Sequence, residues 1–325
     1  MTRIATGTKE ETGQDIADRV VQAFRGLPHY QERKRGKVWI SSKTYPAGSE
    51  VEVVSKRTYI MSLMAGQSAQ KPLSVKIADP LTVYRLHHKD HGVWMSTEWV
   101  ELIEMADIAR KAHGNCLVGG LGLGVVADQM RQSPDVDDVV VVEFDSDVIR
   151  LVTPFLFPEG AAGRLRILKA DLYKFAERVE PDTYDFAFLD TWQGTGEYVW
   201  MTEVVPLLRL LRPKIKDIHC WQESVMWGQV RWMLFRICDA EADSLNSHGR
   251  GHYWVFRKAC EALKIKSRLK LDAKIEMPQM MEIEAENQAN PKIAALAKLY
   301  LEGVGTPKWE KTFGKFWDQI AKENQ

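Results

Sequence analysis

The sequence reads Asn115-Cys-Leu-Val-Gly-Gly-Leu-Gly-Leu-Gly-Val-Val-Ala-Asp128 and then, a short way on, Asp137-Asp-Val-Val-Val-Val-Glu-Phe-Asp-Ser-Asp147. A short apolar run meets a glycine-rich turn, the turn opens into a helical pattern, and a second apolar run ends at the acid Glu143. This order of strand, tight loop, helix, strand and carboxylate is typical of the first half of a nucleotide-binding α/β domain. It predicts a parallel sheet that binds a ligand at the carboxyl ends of its strands.

The turn places glycines at Gly120, Gly122 and Gly124. Glycine is required where the backbone takes a positive φ or where a ligand approaches without room for a Cβ atom. The dinucleotide fingerprint requires a third glycine at the position of Val125, so a nicotinamide enzyme is disfavoured. Gly-x-Gly-x-Gly after a first strand is instead the pattern of Rossmann-like enzymes that use S-adenosylmethionine (SAM). We therefore expect this loop, including Leu121, to contact the amino acid and ribose parts of SAM.

The acid Glu143 closes a run of four valines. A carboxylate at this position accepts hydrogen bonds from ribose hydroxyls in nucleotide-binding folds. The alternative is that Glu143 only assists the start of the next helix, because Asp145 and Asp147 lie nearby. The glycine pattern and the acid together favour the ligand role. Phe144, which follows the acid directly, is assigned to the same cofactor site.

Two further acids follow predicted strands. Asp171 comes soon after the strand from Leu165 to Leu168, and Asp190 directly follows the strand from Tyr184 to Leu189. Asp171 is predicted to accept the adenine amino group while Leu172 covers the ring. The alternative role of Asp171 is to cap the next helix, and both can hold at once. Because parallel strands end at one edge, the glycine loop and these acids predict a single site.

The loop Asp190-Thr-Trp-Gln-Gly-Thr-Gly196 lies where the reacting centre is found in SAM enzymes. Asp190 is the predicted catalytic residue, which orients a nucleophile or takes its proton, and it is assigned to the cofactor site as well. Trp192 is predicted to contact the sulfonium or the substrate through a cation–π interaction, with ordinary core packing as the alternative. Gln193 is the second substrate-side candidate.

Changes of pattern divide the chain into four segments. Residues 1–36 are predicted to be a disordered tail and a helix, and residues 37–96 a β-rich module with period-two alternation. Residues 97–256 are predicted to form a Rossmann-like SAM-binding domain of the α/β class. Residues 257–325 are predicted to form a helical C-terminal extension.

Composition limits the classes of partner. The 325-residue chain has a formal net charge of +0, which gives no broad electrostatic reason to expect nucleic acid. Its apolar runs are too short to span a bilayer, and residues 1–14 lack the apolar core of a signal peptide. The four cysteines lack metal-ligand spacing, and a substrate-side loop is favoured over a metal site for the cluster of His87, His88 and His91. We expect a reduced cytoplasmic protein with a small-molecule substrate and no metal.

Three groups of residues resemble spermidine synthases, members of the class I SAM-dependent methyltransferase superfamily, over about residues 50 to 212. They are the loop Gly119 to Gly124, Val142-Glu-Phe-Asp145 with Asp147-Val-Ile149, and Tyr184-Asp185 with Asp190. The segment Ser96-Thr-Glu98 through Glu104-Met105 is similar to the entry helix of that family. Trp94-Met-Ser96 together with the loop also resembles uncharacterised phage and bacterial proteins of the superfamily.

The resemblance implies a β-rich N-terminal module and a homodimer formed through it. It also marks two departures. The family has acids, which hold and activate a cationic polyamine, where this chain has Leu123 and Gln193.

The sequence therefore predicts a SAM-dependent transferase that methylates a small molecule. The first alternative is an aminopropyltransferase that uses decarboxylated SAM, as the resemblance implies. The second alternative is a SAM-binding protein without catalysis.

Overall fold

The computed structural model describes residues 21, 24, 26–54, 59–60, 71–157, 163–237, 252–265 and 289–323. Residues 1–20, and with them the predicted disordered tail, lie outside the described residues. The described residues fall into two compact units. The first takes those up to Tyr59, from 71 to Phe175 and from Tyr184 to Thr191, and the second takes the others.

The first unit begins with a β-rich module, as predicted. Its antiparallel four-stranded sheet has the order β1-β2-β5-β6 and stands beside a two-stranded β3-β4 ladder. Val38 and Ile40 of β2 and Leu81 and Val83 of β5 are buried two residues apart, because successive side chains of a strand point to opposite faces. The strands are β1 (Arg33–Arg35), β2 (Val38–Tyr45), β3 (Glu50–Val54), β4 (Leu73–Lys76), β5 (Leu81–His88) and β6 (Gly92–Ser96).

The central sheet has five strands in the order β11-β10-β7-β8-β9. The pairings β10-β7, β7-β8 and β8-β9 are all parallel. The valines of β8 are buried throughout, as expected for a strand covered on both faces. The strands are β7 (Gly114–Gly119), β8 (Val136–Glu143), β9 (Leu165–Lys169), β10 (Phe186–Leu189) and β11 (Asp217–Cys220).

Helices alternate with these strands, which confirms the predicted Rossmann-like α/β class. One helix precedes β7 and one follows each of β7, β8 and β9. They are α1 (Trp99–Ala109), α2 (Val125–Gln132), α3 (Ser146–Leu156) and α4 (Leu172–Arg178). Register places Leu189, Gly119 and Val142 side by side, and Glu143 beside Lys169. The loops that leave these strands therefore start at one edge.

The second unit is mainly helical, and the bounds predicted for the C-terminal extension, residues 257–325, stay a prediction. Trp309 is buried in its core and donates its indole N–H to the carbonyl of Tyr300 at 3.1 Å. Arg209 binds both carboxylate oxygens of Glu310, at 2.9 and 2.8 Å. The helices are α5 (Glu197–Val199), π1 (Trp200–Val204), α6 (Val205–Leu211), α7 (Glu223–Ile237), α8 (His252–Ala262), α9 (Pro291–Glu302), α10 (Pro307–Trp309), π2 (Glu310–Gly314) and α11 (Lys315–Glu323).

Within the described part of the chain, no helix has both the length and the apolar character needed to cross a membrane.

Two glycines with similar backbone angles offer a matched test of the close packing at the strand edge. Gly120 has φ +92°, and a Cβ added there would collide with the carbonyl oxygen of Asp190. Gly48 has φ +82°, and nothing lies within 4 Å of an added Cβ. We expect Gly48→Ala to cost only the left-handed strain, about 1–2 kcal/mol of unfolding free energy. Gly120→Ala should cost about 1–3 kcal/mol more, because it also overpacks the site.

Urea unfolding of the two variants measures both costs. Equal losses in the two variants would show that Gly120 and Asp190 do not touch in solution.

Candidate active site

The glycine loop between β7 and α2 turns through three positive φ angles, +92° at Gly120, +51° at Gly122 and +79° at Gly124. L side chains rarely adopt such angles, which explains why the sequence repeats glycine at this spacing. The missing side chain of Gly120 lets the loop pass against the carbonyl oxygen of Asp190. The structure therefore brings together the predicted cofactor loop and the predicted catalytic residue.

Hydrogen bonds fix the start of the glycine loop. Gly120 donates its N–H to the carbonyl of Val142 at 2.9 Å, and Leu121 donates to the carboxylate Oε2 of Glu143 at 2.8 Å. The N–H of Gly122 has no hydrogen-bond partner among the described residues. Of the described N–H groups in this loop, that of Gly122 therefore remains available to bind a ligand.

The carboxylate of Glu143 lies largely buried between two backbone segments. Besides Leu121, it accepts the N–H of Asp145, at 2.6 Å to Oε1. Burial raises the pKa of Glu143, and the backbone hydrogen bonds oppose that rise. Each carboxylate oxygen can accept more than one hydrogen bond, so Glu143 can hold the loop and still accept from a ligand hydroxyl.

A cavity of about 370 Å³ opens beside Glu143, at the ends of β8 and β9. Phe144 forms part of its wall, with 73% of the side chain exposed. An exposed aromatic ring beside carboxylates suits a flat heterocycle that carries hydrogen-bond donors. The lining residues are Phe144, Asp145, Ser146, Lys169, Ala170 and Asp171.

The predicted cofactor residue Asp171 lines this cavity and also caps α4. Its Oδ1 accepts the N–H groups of Tyr173 at 2.9 Å and Lys174 at 3.2 Å. The capping role is confirmed. The carboxylate's other oxygen makes no hydrogen bond to a described residue, so Asp171 can also accept from a ligand.

Leu172, predicted to cover the adenine ring, is buried against Gly119. The residues that line the cavity do not include it. Its contact with a ring stays a prediction, whereas Phe144 presents an apolar surface directly to the cavity.

The predicted catalytic residue Asp190 lies close enough to three other acids for their charges to act on its carboxyl. Its N–H donates to the carbonyl of Gly119 at 2.8 Å. Burial, followed by the charges of Glu101, Glu104 and Glu143, raises the pKa of the Asp190 carboxyl to about 8. A carboxyl with this pKa can hold or accept a proton near neutral pH.

Sequence reasoning missed Glu101 and Glu104, which lie three residues apart on one face of α1. Glu101 Oε2 accepts the N–H of Ser96 at 2.8 Å and its hydroxyl at 3.0 Å, and burial raises its pKa. The resemblance of α1 to an entry helix was the available signal. Lys169 was missed because β9 extends one residue beyond the predicted strand.

Two predicted substrate residues belong to the second unit. Trp192 is buried, and its indole N–H has no hydrogen-bond partner among the described residues. Gln193 is exposed, and Gly194 after it turns the chain at φ +80°. The burial of Trp192 agrees with the core-packing alternative, and the substrate contacts of both residues stay predictions.

No cluster of metal-ligating side chains occurs within the described ranges. The histidines of the β5–β6 turn stack on aromatic rings instead. His88 lies 4.3 Å from Trp94, centroid to centroid, with the planes 8° apart. This packing gives the histidine cluster a structural role.

Comparison with known proteins gives distant structural similarity. No protein-family model and no curated protein sequence matches the chain. A precorrin-8w decarboxylase from Methanobacterium thermoautotrophicum matches with a TM-score of 0.27 and 16% identity, over 35% of this chain and 55% of that one. The N-terminal domain of EvdMO1, solved with SAH and D-fucose, gives 0.28 and 17%, over 36% and 49%.

The bifunctional kinase-methyltransferase WbdD gives a TM-score of 0.28 and 16% identity, over 39% of this chain and 29% of that one. The chain thus spans about half or less of the length of these three structures. Similarity at these scores does not identify the reaction of this chain.

The raised pKa of Asp190 makes stability depend on pH. An acid with a raised folded-state pKa stabilises the fold below its ordinary pKa of 3.8, and this contribution is lost as the pH rises through about 8. Asp190→Asn removes the titration. We therefore expect the unfolding free energy of Asp190→Asn minus that of wild type to be larger at pH 8 than at pH 5, by more than ~1 kcal/mol.

Urea unfolding at the two pH values measures this difference. Glu101→Gln should shift stability in the same direction, because burial also raises its pKa. The same stability difference at both pH values for Asp190→Asn would contradict the raised pKa.

Proposed function

We propose that the protein is a SAM-dependent transferase that methylates a small molecule. The observation that carries this proposal is the cavity at the ends of β8 and β9, which the exposed ring of Phe144 and the carboxylate of Asp171 line, next to Glu143, whose carboxylate binds the glycine loop. The spacing of the loop glycines, with Val125 where the dinucleotide fingerprint needs glycine, favours an S-adenosyl ligand over a nicotinamide dinucleotide.

The residues present fit an S-adenosyl group. Phe144 would pack on the adenine ring, and the second oxygen of Asp171 would accept from its amino group. Glu143 would accept from the ribose hydroxyls, and the N–H of Gly122 would donate to an acceptor atom.

SAM, when bound, supplies a methyl group on a positively charged sulfur. The acids around Asp190 favour a positive charge in their midst, which suits such a ligand. Asp190 would take the proton that an acceptor loses as it is alkylated, because its carboxyl titrates near neutral pH. Most of the rate would then come from holding the acceptor in line with the methyl group.

One observation favours a second candidate, aminopropyl transfer from decarboxylated SAM. Asp190 stands among Glu101, Glu104 and Glu143, and like charges repel the carboxylate that SAM carries and decarboxylated SAM lacks. Against it, Leu123 is fully buried, so the position that is acidic in spermidine synthases does not present a side chain to an acceptor. A spermidine synthase-like homodimer, a phage or bacterial source and a cytoplasmic location stay predictions.

Two substitutions test the adenine side of the site with little change in the fold. Asp171→Asn keeps an oxygen that can cap α4 but replaces the second carboxylate oxygen with an amide nitrogen. Phe144→Ala removes an exposed ring. We expect each variant to bind S-adenosylhomocysteine about 1–3 kcal/mol more weakly, as measured by calorimetric titration.

Val93→Ala, which shortens an exposed side chain away from the cavity, is the matched control and should bind like wild type. Affinities for both site variants equal to that of Val93→Ala would place the adenine elsewhere.

The acids around Asp190 predict an order among ligands. SAM carries one positive charge more than S-adenosylhomocysteine, so SAM should bind more tightly at low salt, and the two affinities should converge as salt rises. Decarboxylated SAM is the third ligand, and its tighter binding than that of SAM would favour aminopropyl transfer. Titration of the three ligands at two salt concentrations measures the order. Tighter binding of SAM than of decarboxylated SAM would mean that a positively charged group binds the carboxylate of SAM. Methyl transfer would then stand, and aminopropyl transfer would be excluded.

Turnover distinguishes the remaining alternatives. Release of S-adenosylhomocysteine identifies a methyltransferase, and release of methylthioadenosine with an amine acceptor identifies aminopropyl transfer. Binding without turnover in a broad acceptor screen would support the non-catalytic alternative.

A further inference from the structure

We propose that Tyr30, which precedes β1, and Met95, on β6 of the β-rich module, are positioning residues that hold the glycine loop in its ligand-binding conformation. The proposal deepens the function proposed above and rests on it for its consequence, which is that the module sets the affinity for the S-adenosyl ligand. Neither residue was assigned a role from the sequence, and neither is one of the residues that line the cavity.

Leu123, in the second half of the loop, has both of its backbone polar groups bound by these two side chains. The hydroxyl of Tyr30 donates to the carbonyl of Leu123 at 2.7 Å, and the N–H of Leu123 donates to the thioether Sδ of Met95 at 2.8 Å. Leu123 is 0% exposed, so water does not replace either partner. A buried backbone group without a partner costs about as much as a lost hydrogen bond.

Tyr30 is held rigidly while it makes this contact. It is 3% exposed, and its ring lies 5.3 Å from that of Tyr84 on β5 and 5.6 Å from that of Phe155 on α3. The ring therefore packs between the antiparallel sheet and the helix that follows β8. A side chain fixed on two sides can place its hydroxyl with little loss of entropy.

Met95 is fixed by β6, where it stands opposite Leu86 of β5. Its sulfur also occupies the space that a Cβ at Gly122 would need. Met95 therefore contacts the loop at two successive residues, and one of these, Gly122, carries the N–H that is available to a ligand. Movement of the thioether would change the direction of that donor.

The contacts divide the loop into two halves with different supports. Gly120 and Leu121 are bound by the sheet itself, through Val142 and Glu143. Leu123 is bound by Met95 of the β-rich module and by Tyr30, which precedes β1. Gly122 lies between the two halves, so its orientation requires both.

The test uses two variants that remove a polar atom and keep the volume, Tyr30→Phe and Met95→Leu, in the full-length protein. Tyr84→Phe, which removes a hydroxyl from the neighbouring ring, is the matched control. Hydrogen exchange of the amides of residues 121–124 and titration with S-adenosylhomocysteine are measured for each. The exchange of residues 139–142 in β8 reports overall stability.

We expect Tyr30→Phe and Met95→Leu to speed exchange in the loop about tenfold and to weaken S-adenosylhomocysteine binding about tenfold. Exchange in β8 should change no more than in Tyr84→Phe. Equal acceleration in the loop and in β8 would mean that the two residues support the fold in general, and it would overturn the proposal. Loop exchange identical to that of Tyr84→Phe would overturn it as well.

The two proposals fail in different ways. If the wild-type protein binds no S-adenosyl compound, the proposed function fails, while the exchange of the loop amides still decides whether Tyr30 and Met95 hold the loop. If wild type binds and the loop variants bind equally well, the function stands and the positioning role is wrong.

Discussion

The arrangement of the site depends on the contact between Gly120 and the carbonyl oxygen of Asp190. Because β7 and β10 are neighbours in the sheet, their outgoing loops leave from adjacent points and compete for the same space. A residue with a side chain at position 120 would force the loops apart and separate the glycine turn from the acid. The absence of one carbon atom at position 120 therefore lets the glycine loop and Asp190 share one edge of the sheet.

The carboxylates at this edge of the sheet also hold the backbone. Glu143 accepts from two backbone N–H groups and Asp171 caps α4, so each is oriented before a ligand arrives. A side chain that is already fixed loses little conformational entropy on binding. For this reason the hydrogen bonds that hold the backbone favour the ligand contacts proposed for the same two carboxylates.

Local features of the sequence predicted the fold and the acids that lie at one edge of the sheet. The valine run, the glycine spacing and acids after strands follow from rules that act within a few residues, and they located Glu143, Asp171 and Asp190 correctly at one edge. The contacts of Tyr30 and Met95 with Leu123 join residues 93 and 28 positions apart. No periodicity or spacing encodes such pairs, because they arise only when two modules pack. Burial of Leu123 was equally hidden, since a loop of glycines and leucines gives no sign of which leucine faces inward.

The proton on Asp190 gives the site a further property. At neutral pH a carboxyl with a pKa of about 8 is largely protonated, and a cation placed beside it would lower that pKa and expel the proton. Ligand entry would then be an exchange of one positive charge for another, with little change in the net charge of the site. The measured heat of binding would include the heat of protonating the buffer, and the apparent affinity would rise with pH until the exchange was complete.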